Sequence, residues 1–336
     1  MAIVAIITFF TAAILFIEYY SEIYNDLDDQ TANWDLSDDP ANLDVSNQPA
    51  NLEPAHFMDS MPPDYSISEV NEAEFNNLLT QNFEEGDLED VNEMVAGLKE
   101  NYPEGYFVIL TQTLRRPEEF KDWYELLTPD PDAMETIIHE MTHTGGIYCG
   151  TFFIEDKCIT IPDRWDLSER LFSGVELLDY IDSQNFIDEA YLEGCKHNII
   201  GTLDEVNAYI KSVRTDRANK NYNSDPSTLA RQMYYITLHL RHAKEEEPET
   251  WNILVDNKGF AYTLMRLIAM AEAELETAEE EGFSGINVTD NLNLYEENRE
   301  YLDEFFVSAG VAELKDLDLT YIELQERGII FGLEEM

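Results

Sequence analysis

The sequence predicts an α+β protein that is mostly helical, with a small sheet and a helical C-terminal half. Apolar residues recur at three- and four-residue spacing through most of the chain after residue 65, which is typical of helices with one buried face. Two short runs, residues 147–154 and 157–163, are instead rich in β-branched and aromatic residues and predict two paired strands. A hydrophobic content of 44% over 336 residues is enough for a packed core.

The chain begins with an apolar segment that we predict to lie outside this fold. Residues 2–17 carry no charge, and two tyrosines follow at positions 19 and 20. The run is short for a membrane-spanning helix, lacks the basic start of a standard signal peptide and has no clear cleavage site. We interpret residues 1–20 as a signal anchor or a signal peptide, with a buried core helix as the alternative. This predicts a membrane-anchored or secreted protein whose folded part lies outside the cytoplasm and contacts the membrane through this segment alone.

The next segment and the overall charge limit the partners of this protein. Residues 21–64 are rich in Asp, Asn, Ser and Pro and poor in large apolar residues, which predicts a flexible acidic stalk. In the whole chain, 70 Asp and Glu against 20 Lys and Arg give a net charge of −50. Nucleic-acid binding is not expected, because phosphate contacts need a basic footprint. The charge fits either a high-salt habitat or an ordinary acidic extracellular protein.

Three elements are predicted at the start of the folded region. Residues 66–79 and 87–101 have the apolar spacing of helices. Residues 104–113, centred on the run YFVIL at 106–110, are continuously apolar and predict a strand.

A helix is predicted next, around the sequence TIIHEMTHTGG at residues 136–146. Asp132 and Glu135 have the spacing of a capping box and follow a proline at position 131. Apolar residues at positions 134, 137, 138 and 141 recur at i, i+3, i+4 and i+7 and form one buried face. Two glycines, Gly145 and Gly146, predict that the helix ends there.

This helix carries His139, Glu140 and His143, an H-E-x-x-H sequence. Residues four apart lie on the same face of a helix, so both imidazoles can reach one metal ion. Glu140 lies about 100° around the helix, from where its carboxylate can take a proton from a metal-activated water. The sequence therefore predicts a Zn²⁺ site with His139 and His143 as ligands and Glu140 as the catalytic base.

The motif, on a helix that follows a predicted strand, resembles the zincin-type zinc peptidases. A catalytic zinc site needs a third protein ligand. Residues 201–213 predict a helix with Thr202 as its N-cap, and this helix carries Glu205. A glutamate on a separate downstream helix resembles the gluzincin group of these peptidases, and this resemblance implies that Glu205 is the third ligand. The alternatives for this position are Asp204, His197, Glu189 and Glu193.

Peptide hydrolysis also needs a donor that stabilises the oxyanion of the transition state. Tyr209 lies one turn after Glu205 and is one candidate. His239, with His242 on the same later helix, is the other. Each of these side chains could equally serve packing or support the metal ligands.

Two of the three cysteines lie on the predicted strands. Cys149 and Cys158 can form a disulfide if they face each other, and an extracellular location would favour it. Cys195 would then have no partner. None of the three is predicted as a zinc ligand, because the sequence contains no C-x-x-C pair.

The chain beyond residue 165 predicts helices, most clearly at 229–241 and 259–280. We divide the fold into a zincin-like catalytic region, 65–225, and a helical C-terminal region, 226–336, which is either a second domain or part of the same one. The predicted function is zinc-dependent hydrolysis of a peptide or protein substrate. The alternatives are an inactive zincin-like binding module and an acidic surface protein in which the motif occurs by chance.

Overall fold

The fold is mostly helical with a two-stranded sheet, which confirms the predicted composition of the fold. The computed structural model describes residues 72–127, 133–149, 151–155, 157–161, 167–168, 170–181, 184–219, 226–282, 288–315, 317, 319 and 321–329. The predicted anchor and stalk, residues 1–64, lie outside this part of the chain. Among the helices that are described, none is both long enough and apolar enough to cross a membrane.

Four helices form the first part of the fold. They are α1 (Glu72–Asn82), α2 (Glu85–Asn101), α3 (Pro103–Arg115) and α4 (Pro117–Leu127). The helix predicted at 87–101 is confirmed by α2, and α1 confirms the described part of the helix predicted at 66–79. Helices α3 and α4 both begin with a proline, whose fixed φ suits the first helical position and whose missing N–H has no intrahelical partner there.

The strand predicted at residues 104–113 is wrong, because this segment is helix α3. Every residue from Gly105 to Thr113 is buried, so α3 is covered on all sides rather than on one face. A helix buried all round has a continuous apolar sequence, which periodicity cannot distinguish from a buried strand. No strand therefore precedes the H-E-x-x-H helix among the described residues.

Helix α5 (Ala133–Cys149) carries the H-E-x-x-H sequence and continues past the predicted stop at its two glycines. Gly145 serves packing instead of ending the helix, since a Cβ atom at this position would lie 2.7 Å from Cε2 of the buried Phe153. The start signals predicted at residues 131 and 132 lie outside the described residues.

A hairpin follows, made of β1 (Thr151–Ile154) and β2 (Lys157–Thr160). The strands are antiparallel, with Ile154 opposite Lys157 at the turn, where Glu155 has a φ of 55°. The two predicted strands are thus confirmed in shorter form, because residues 147–149 belong to α5. Neighbouring side chains of β1 enter different cores, with Phe152 in the larger and Phe153 in the smaller one, as the alternation of a strand requires.

The rest of the described chain is helical, as predicted. It contains a 3₁₀ helix (Gly174–Tyr180), one helical turn (Phe186–Asp188), a π-helix (Glu189–Gly194), α6 (Ile199–Asn219), α7 (Pro226–Glu245), α8 (Pro248–Asp256), α9 (Lys258–Glu280), α10 (Val288–Glu297), α11 (Arg299–Ala309), a 3₁₀ turn (Ala312–Leu314) and α12 (Tyr321–Glu326). The helices predicted at 229–241 and 259–280 lie within α7 and α9.

Helix α6 is the central element of the fold. It packs along α5, α7 and α9. It begins at Ile199, and its N-cap is Asn198, whose side chain accepts hydrogen bonds from the amides of residues 200 and 201. The predicted cap Thr202 is wrong, since this residue lies inside the helix. Residues of α6 and α7 share one hydrophobic core, and the domain boundary at residue 225 remains a prediction.

Candidate metal centre

His139, His143 and Glu205 come together where α5 packs against α6. One ligand atom from each residue lies within 4.8 Å of the other two, and the described part of the chain contains no other such group of three. The two histidines are adjacent because they are four residues apart on α5. His139 contacts Ser212 and His143 contacts Asp204, so α6 runs antiparallel to α5 and Glu205 lies beside both histidines. These are the three metal ligands predicted from the sequence.

The distances within this group match the size of a transition-metal site. Nε2 of His139 and Nε2 of His143 are 3.0 Å apart, and Oε2 of Glu205 lies 3.8 Å and 3.6 Å from them. The point equidistant from three atoms with these separations lies about 2.0 Å from each, which is the length of Zn²⁺ bonds to imidazole nitrogen and carboxylate oxygen. Oε2 of Glu205 is buried and accepts no hydrogen bond from the described residues. The donor set therefore fits one metal ion.

The outer nitrogen of each imidazole is held by a side chain of α6. Nδ1 of His139 lies 2.9 Å from Oγ of Ser212, and Nδ1 of His143 lies 2.9 Å from Oδ2 of Asp204. These contacts orient both rings so that Nε2 faces the metal position. Asp204, an alternative third ligand in the sequence, thus contacts the far side of His143. The role of Ser212 gave no signal in the sequence, since a serine inside a helix has many uses.

The electrostatic state of the three residues follows from burial and from their mutual contacts. Burial, reinforced by His143, lowers the pKa of His139 to about 3, so this imidazole is neutral. Burial alone would raise the pKa of Glu205, but the three nearby histidines outweigh it and lower the pKa to about 2. Burial would also lower the pKa of His143, but the Glu205 and Asp204 carboxylates raise it well above its usual range. A neutral imidazole and an ionised carboxylate are the forms that bind metal, so His139 and Glu205 are ready to bind, whereas His143 would release a proton when a metal binds.

Glu140 lies beside this group, as the H-E-x-x-H spacing predicts. Burial raises its pKa to about 7, although His143 works in the opposite direction. Its Oε2 atom is buried and has no hydrogen-bond partner among the described residues. A carboxyl group with a pKa near neutrality can both accept and release a proton at physiological pH.

The two candidate oxyanion donors lie in different places. The Tyr209 ring packs edge-on against His139 with centroids 4.7 Å apart, and its hydroxyl lies 2.5 Å from the hydroxyl of Tyr191. His239 is a buried residue of α7 that packs against the first turn of α6, where its Nε2 contacts the Thr202 hydroxyl at 3.2 Å. Tyr209 therefore lies at the site and His239 does not join the three ligands. Tyr191 was missed because it lies on the π-helix, which apolar spacing does not predict.

The remaining alternatives for the third ligand also fall outside the group. His242, named above with His239 as an oxyanion candidate on α7, contacts the hydroxyl of Tyr180 at 3.2 Å and does not join the group either. Glu189 and Glu193 lie on the π-helix and do not join the group. His197 comes closer, with Nδ1 3.8 Å from Oε1 of Glu205, but its neighbour is the other carboxylate oxygen, not the Oε2 atom that lies near the two histidines.

The two cysteines predicted to form a disulfide, Cys149 and Cys158, do not both lie on strands, as the prediction assumed. Cys149 is the last residue of α5, not a strand residue, and Cys158 on β2 lies opposite Phe153. Cys158 is buried, and the side chain of Cys149 lies outside the described part of the chain. The disulfide itself remains a prediction.

Comparison of the chain with protein-family models, with curated proteins and with solved structures found no match. The function of this site must therefore be inferred from its own geometry and chemistry.

Proposed function

We propose that this protein is a zinc-dependent peptidase of the gluzincin type. The observation that carries the proposal is the spacing of the three ligand atoms, which leaves room for one ion at about 2.0 Å from each. Two imidazole nitrogens and one carboxylate oxygen form a ligand set of known catalytic zinc sites, and imidazole disfavours Mg²⁺ and Ca²⁺. A third ligand from a separate downstream helix is the feature that resembles gluzincins.

Each side chain has a separate task in this mechanism. His139, His143 and Glu205 would hold the ion, which would supply Lewis-acid chemistry to a peptide carbonyl and to water. Glu140 accepts a proton from the attacking water and delivers it to the nitrogen of the leaving amine. The Tyr209 hydroxyl donates a hydrogen bond to the oxyanion that forms on the carbonyl oxygen. No covalent bond to the protein forms.

The proposal depends on the helix pair α5 and α6 rather than on the sheet. The strand expected before the motif helix is helix α3, so the similarity to zincins is restricted to the metal-binding residues and the two helices that carry them. We extend the proposal to a location outside the cytoplasm, with residues 1–20 as a signal anchor or a signal peptide. That part follows from the sequence pattern alone.

The test uses the full-length chain in detergent, stripped of metal and titrated with Zn²⁺. We expect the parent to bind one Zn²⁺ per chain. The Glu205→Gln variant should bind Zn²⁺ at least about 10²-fold more weakly than the parent. Cleavage of a mixture of unstructured peptides, followed by mass spectrometry, then tests activity. We expect cleavage by the zinc-loaded parent and its loss in Glu205→Gln.

The outcomes separate the peptidase from its alternatives. Stoichiometric zinc without cleavage of any peptide supports an inactive zincin-like module. A folded parent that binds no zinc means that the H-E-x-x-H sequence occurs by chance. Exposed Glu249 provides the matched control, since Glu249→Gln removes one charge from a surface helix and should change neither quantity.

A further inference from the structure

We propose that His197 is a positioning residue for the metal ligand Glu205. In the metal-bound protein, Nδ1 of His197 donates a hydrogen bond to Oε1 of Glu205 and so holds Oε2 toward the ion. This proposal rests on the proposed metal site, but it does not depend on peptide hydrolysis.

The positions of the two side chains carry this proposal. Nδ1 of His197 lies 3.8 Å from Oε1 of Glu205, whereas Oε2 of the same carboxylate faces His139 and His143. The side chains of His197 and Glu205 are 17% and 2% exposed. Nδ1 of His197 is buried and has no hydrogen-bond partner among the described residues. A buried polar nitrogen without a partner is costly, and the Oε1 atom is the acceptor nearest to it if the ring carries its proton on Nδ1.

A small rotation of the carboxylate would complete this contact. A nitrogen–oxygen hydrogen bond is about 2.9 Å long, so the present separation is about 1 Å too large. Small changes in the side-chain torsions of Glu205 can keep Oε2 beside the two histidines and bring Oε1 closer to Nδ1 of His197. A hydrogen bond to the outer oxygen of a ligating carboxylate is a common way in which proteins orient such a ligand.

The backbone before His197 has two unusual conformations that bring the ring to this place. Residues 189–194 form a π-helix, a rare conformation that occurs often at functional sites. Lys196 then adopts a φ of 54°, in the left-handed region that non-glycine residues seldom enter. Both features cost free energy, and they persist because the surrounding structure determines them.

Close packing on both sides leaves little room for His197 to move. A Cβ atom on Gly201 would lie 3.1 Å from Cγ of His197, and one on Gly174 would lie 2.4 Å from its carbonyl oxygen. Both glycines allow the histidine to approach closely.

The segment is also anchored at its two ends. Before the π-helix, the fully buried Asp188 accepts hydrogen bonds from Arg231 at 2.6 and 2.9 Å and from the hydroxyl of Tyr235 at 2.5 Å. After His197, Asn198 caps α6 and donates to Ser168. The ring therefore belongs to a rigid wall of the site, as a positioning residue requires.

A direct bond from His197 to the metal is the rival interpretation. It would give the ion four protein ligands, which is the arrangement of structural rather than catalytic zinc sites. The two interpretations differ in the substitutions they tolerate. An asparagine places its amide nitrogen at about the position of Nδ1 and donates a hydrogen bond, but a neutral amide is a poor zinc ligand.

The experiment measures zinc affinity of the full-length chain by competition with a chromophoric chelator. The variants are His197→Asn, His197→Gln and His197→Leu, with His242→Leu as a control that lies away from the ligands. Asparagine keeps the donor at the Nδ1 position, while glutamine moves it one bond further and leucine removes it. We expect affinity within about 3-fold of the parent for Asn, and about 10–100-fold weaker binding for Gln and Leu.

The absorption spectrum of the Co²⁺-substituted protein provides a readout that general destabilisation would not change. We expect His197→Asn to keep the parent spectrum and His197→Gln to alter it. The proposal is overturned if His197→Gln and His197→Leu both bind zinc as tightly as the parent. It is also overturned if His197→Asn binds zinc as weakly as His197→Gln, a result that would support direct ligation by His197. The comparison of Asn with Gln remains decisive if the Leu variant does not fold. A parent that binds no zinc overturns the proposed function together with this inference.

Discussion

Nδ1 of His143 lies 2.9 Å from Oδ2 of Asp204, and the next residue along α6 is Glu205, the proposed third metal ligand. Consecutive residues of a helix point about 100° apart, so α6 contacts His143 from two sides. Asp204 holds its outer nitrogen, and Glu205 lies 3.6 Å from its inner nitrogen. The orientation of this imidazole is therefore determined by two adjacent residues of one helix.

Removal of Asp204 is expected to weaken metal binding. Asp204→Ala should lower zinc affinity by about 10–100-fold, because the ring of His143 loses the group that orients it. Asp204→Asn keeps an acceptor oxygen and should lose less. Equilibrium competition with a chelator measures both, and Asp256→Asn on the exposed side of α8 is the control. Parent-like affinity in Asp204→Ala would show that packing alone orients His143.

Glu140 should be needed for hydrolysis and not for metal binding. Glu140→Gln keeps the size of the side chain but removes the proton acceptor, so we expect one zinc per chain and a loss of peptide cleavage of about 10²–10⁴-fold. Metal analysis and cleavage assays on the same preparation separate the two effects. A variant that retains full cleavage would assign the base to another residue.

A comparison of two helical glycines tests the packing between α5 and the hairpin. In Gly145→Ala the new Cβ would lie 2.7 Å from the Phe153 ring and 2.9 Å from the Gln112 amide, so we expect a loss of about 1–3 kcal/mol in the free energy of unfolding. Gly97→Ala in α2 meets no atom within 4 Å and should gain about 0.5–1 kcal/mol. Urea unfolding measures both. Equal effects would show that Gly145 has no packing role.

An ion pair between α3 and α6 should make stability depend on pH. Burial alone would raise the pKa of Glu104, but Lys211 at 3.1 Å and Arg214 at 2.6 Å outweigh it and lower the pKa. The stabilisation is therefore complete above the unfolded pKa, about 4.3, and is lost as pH falls through the lower folded value.

The substitution Glu104→Gln tests this pH dependence. It should cost about 1–3 kcal/mol of unfolding free energy at pH 7, because it leaves the fully buried Lys211 without its charged partner. The difference from the parent should shrink below pH 4. Urea unfolding at pH 7 and pH 3.5 measures it, with exposed Glu249→Gln as the control. A difference that is the same at both values would assign the effect to packing.

Local patterns predicted much of this site correctly. His139 and His143 share a face because of a four-residue spacing that any helix would impose. Glu205 was implied by resemblance, and its helix followed from apolar residues at regular intervals. The hairpin could be predicted because β-branched and aromatic residues flank an acidic turn.

The errors arose where burial was complete or where the backbone left regular geometry. Helix α3 was predicted as a strand because its residues are apolar on every side. Gly145 was predicted to end α5, although the close approach of Phe153 is what requires it. Tyr191 and the wall formed by the π-helix were missed because neither has a periodic signature.

The sequence by itself determined that two histidines share one helix face with a glutamate between them, and it predicted the helices that carry the three grouped residues, since these features depend on spacing along one element. Only the tertiary structure decided which α6 residues meet them. The antiparallel packing of α5 and α6 places Glu205 beside the two inner imidazole nitrogens, Asp204 and Ser212 at the outer nitrogens, and Tyr209 against His139. Contacts between residues about 60 to 70 positions apart depend on how two helices pack, and no local pattern encodes that choice.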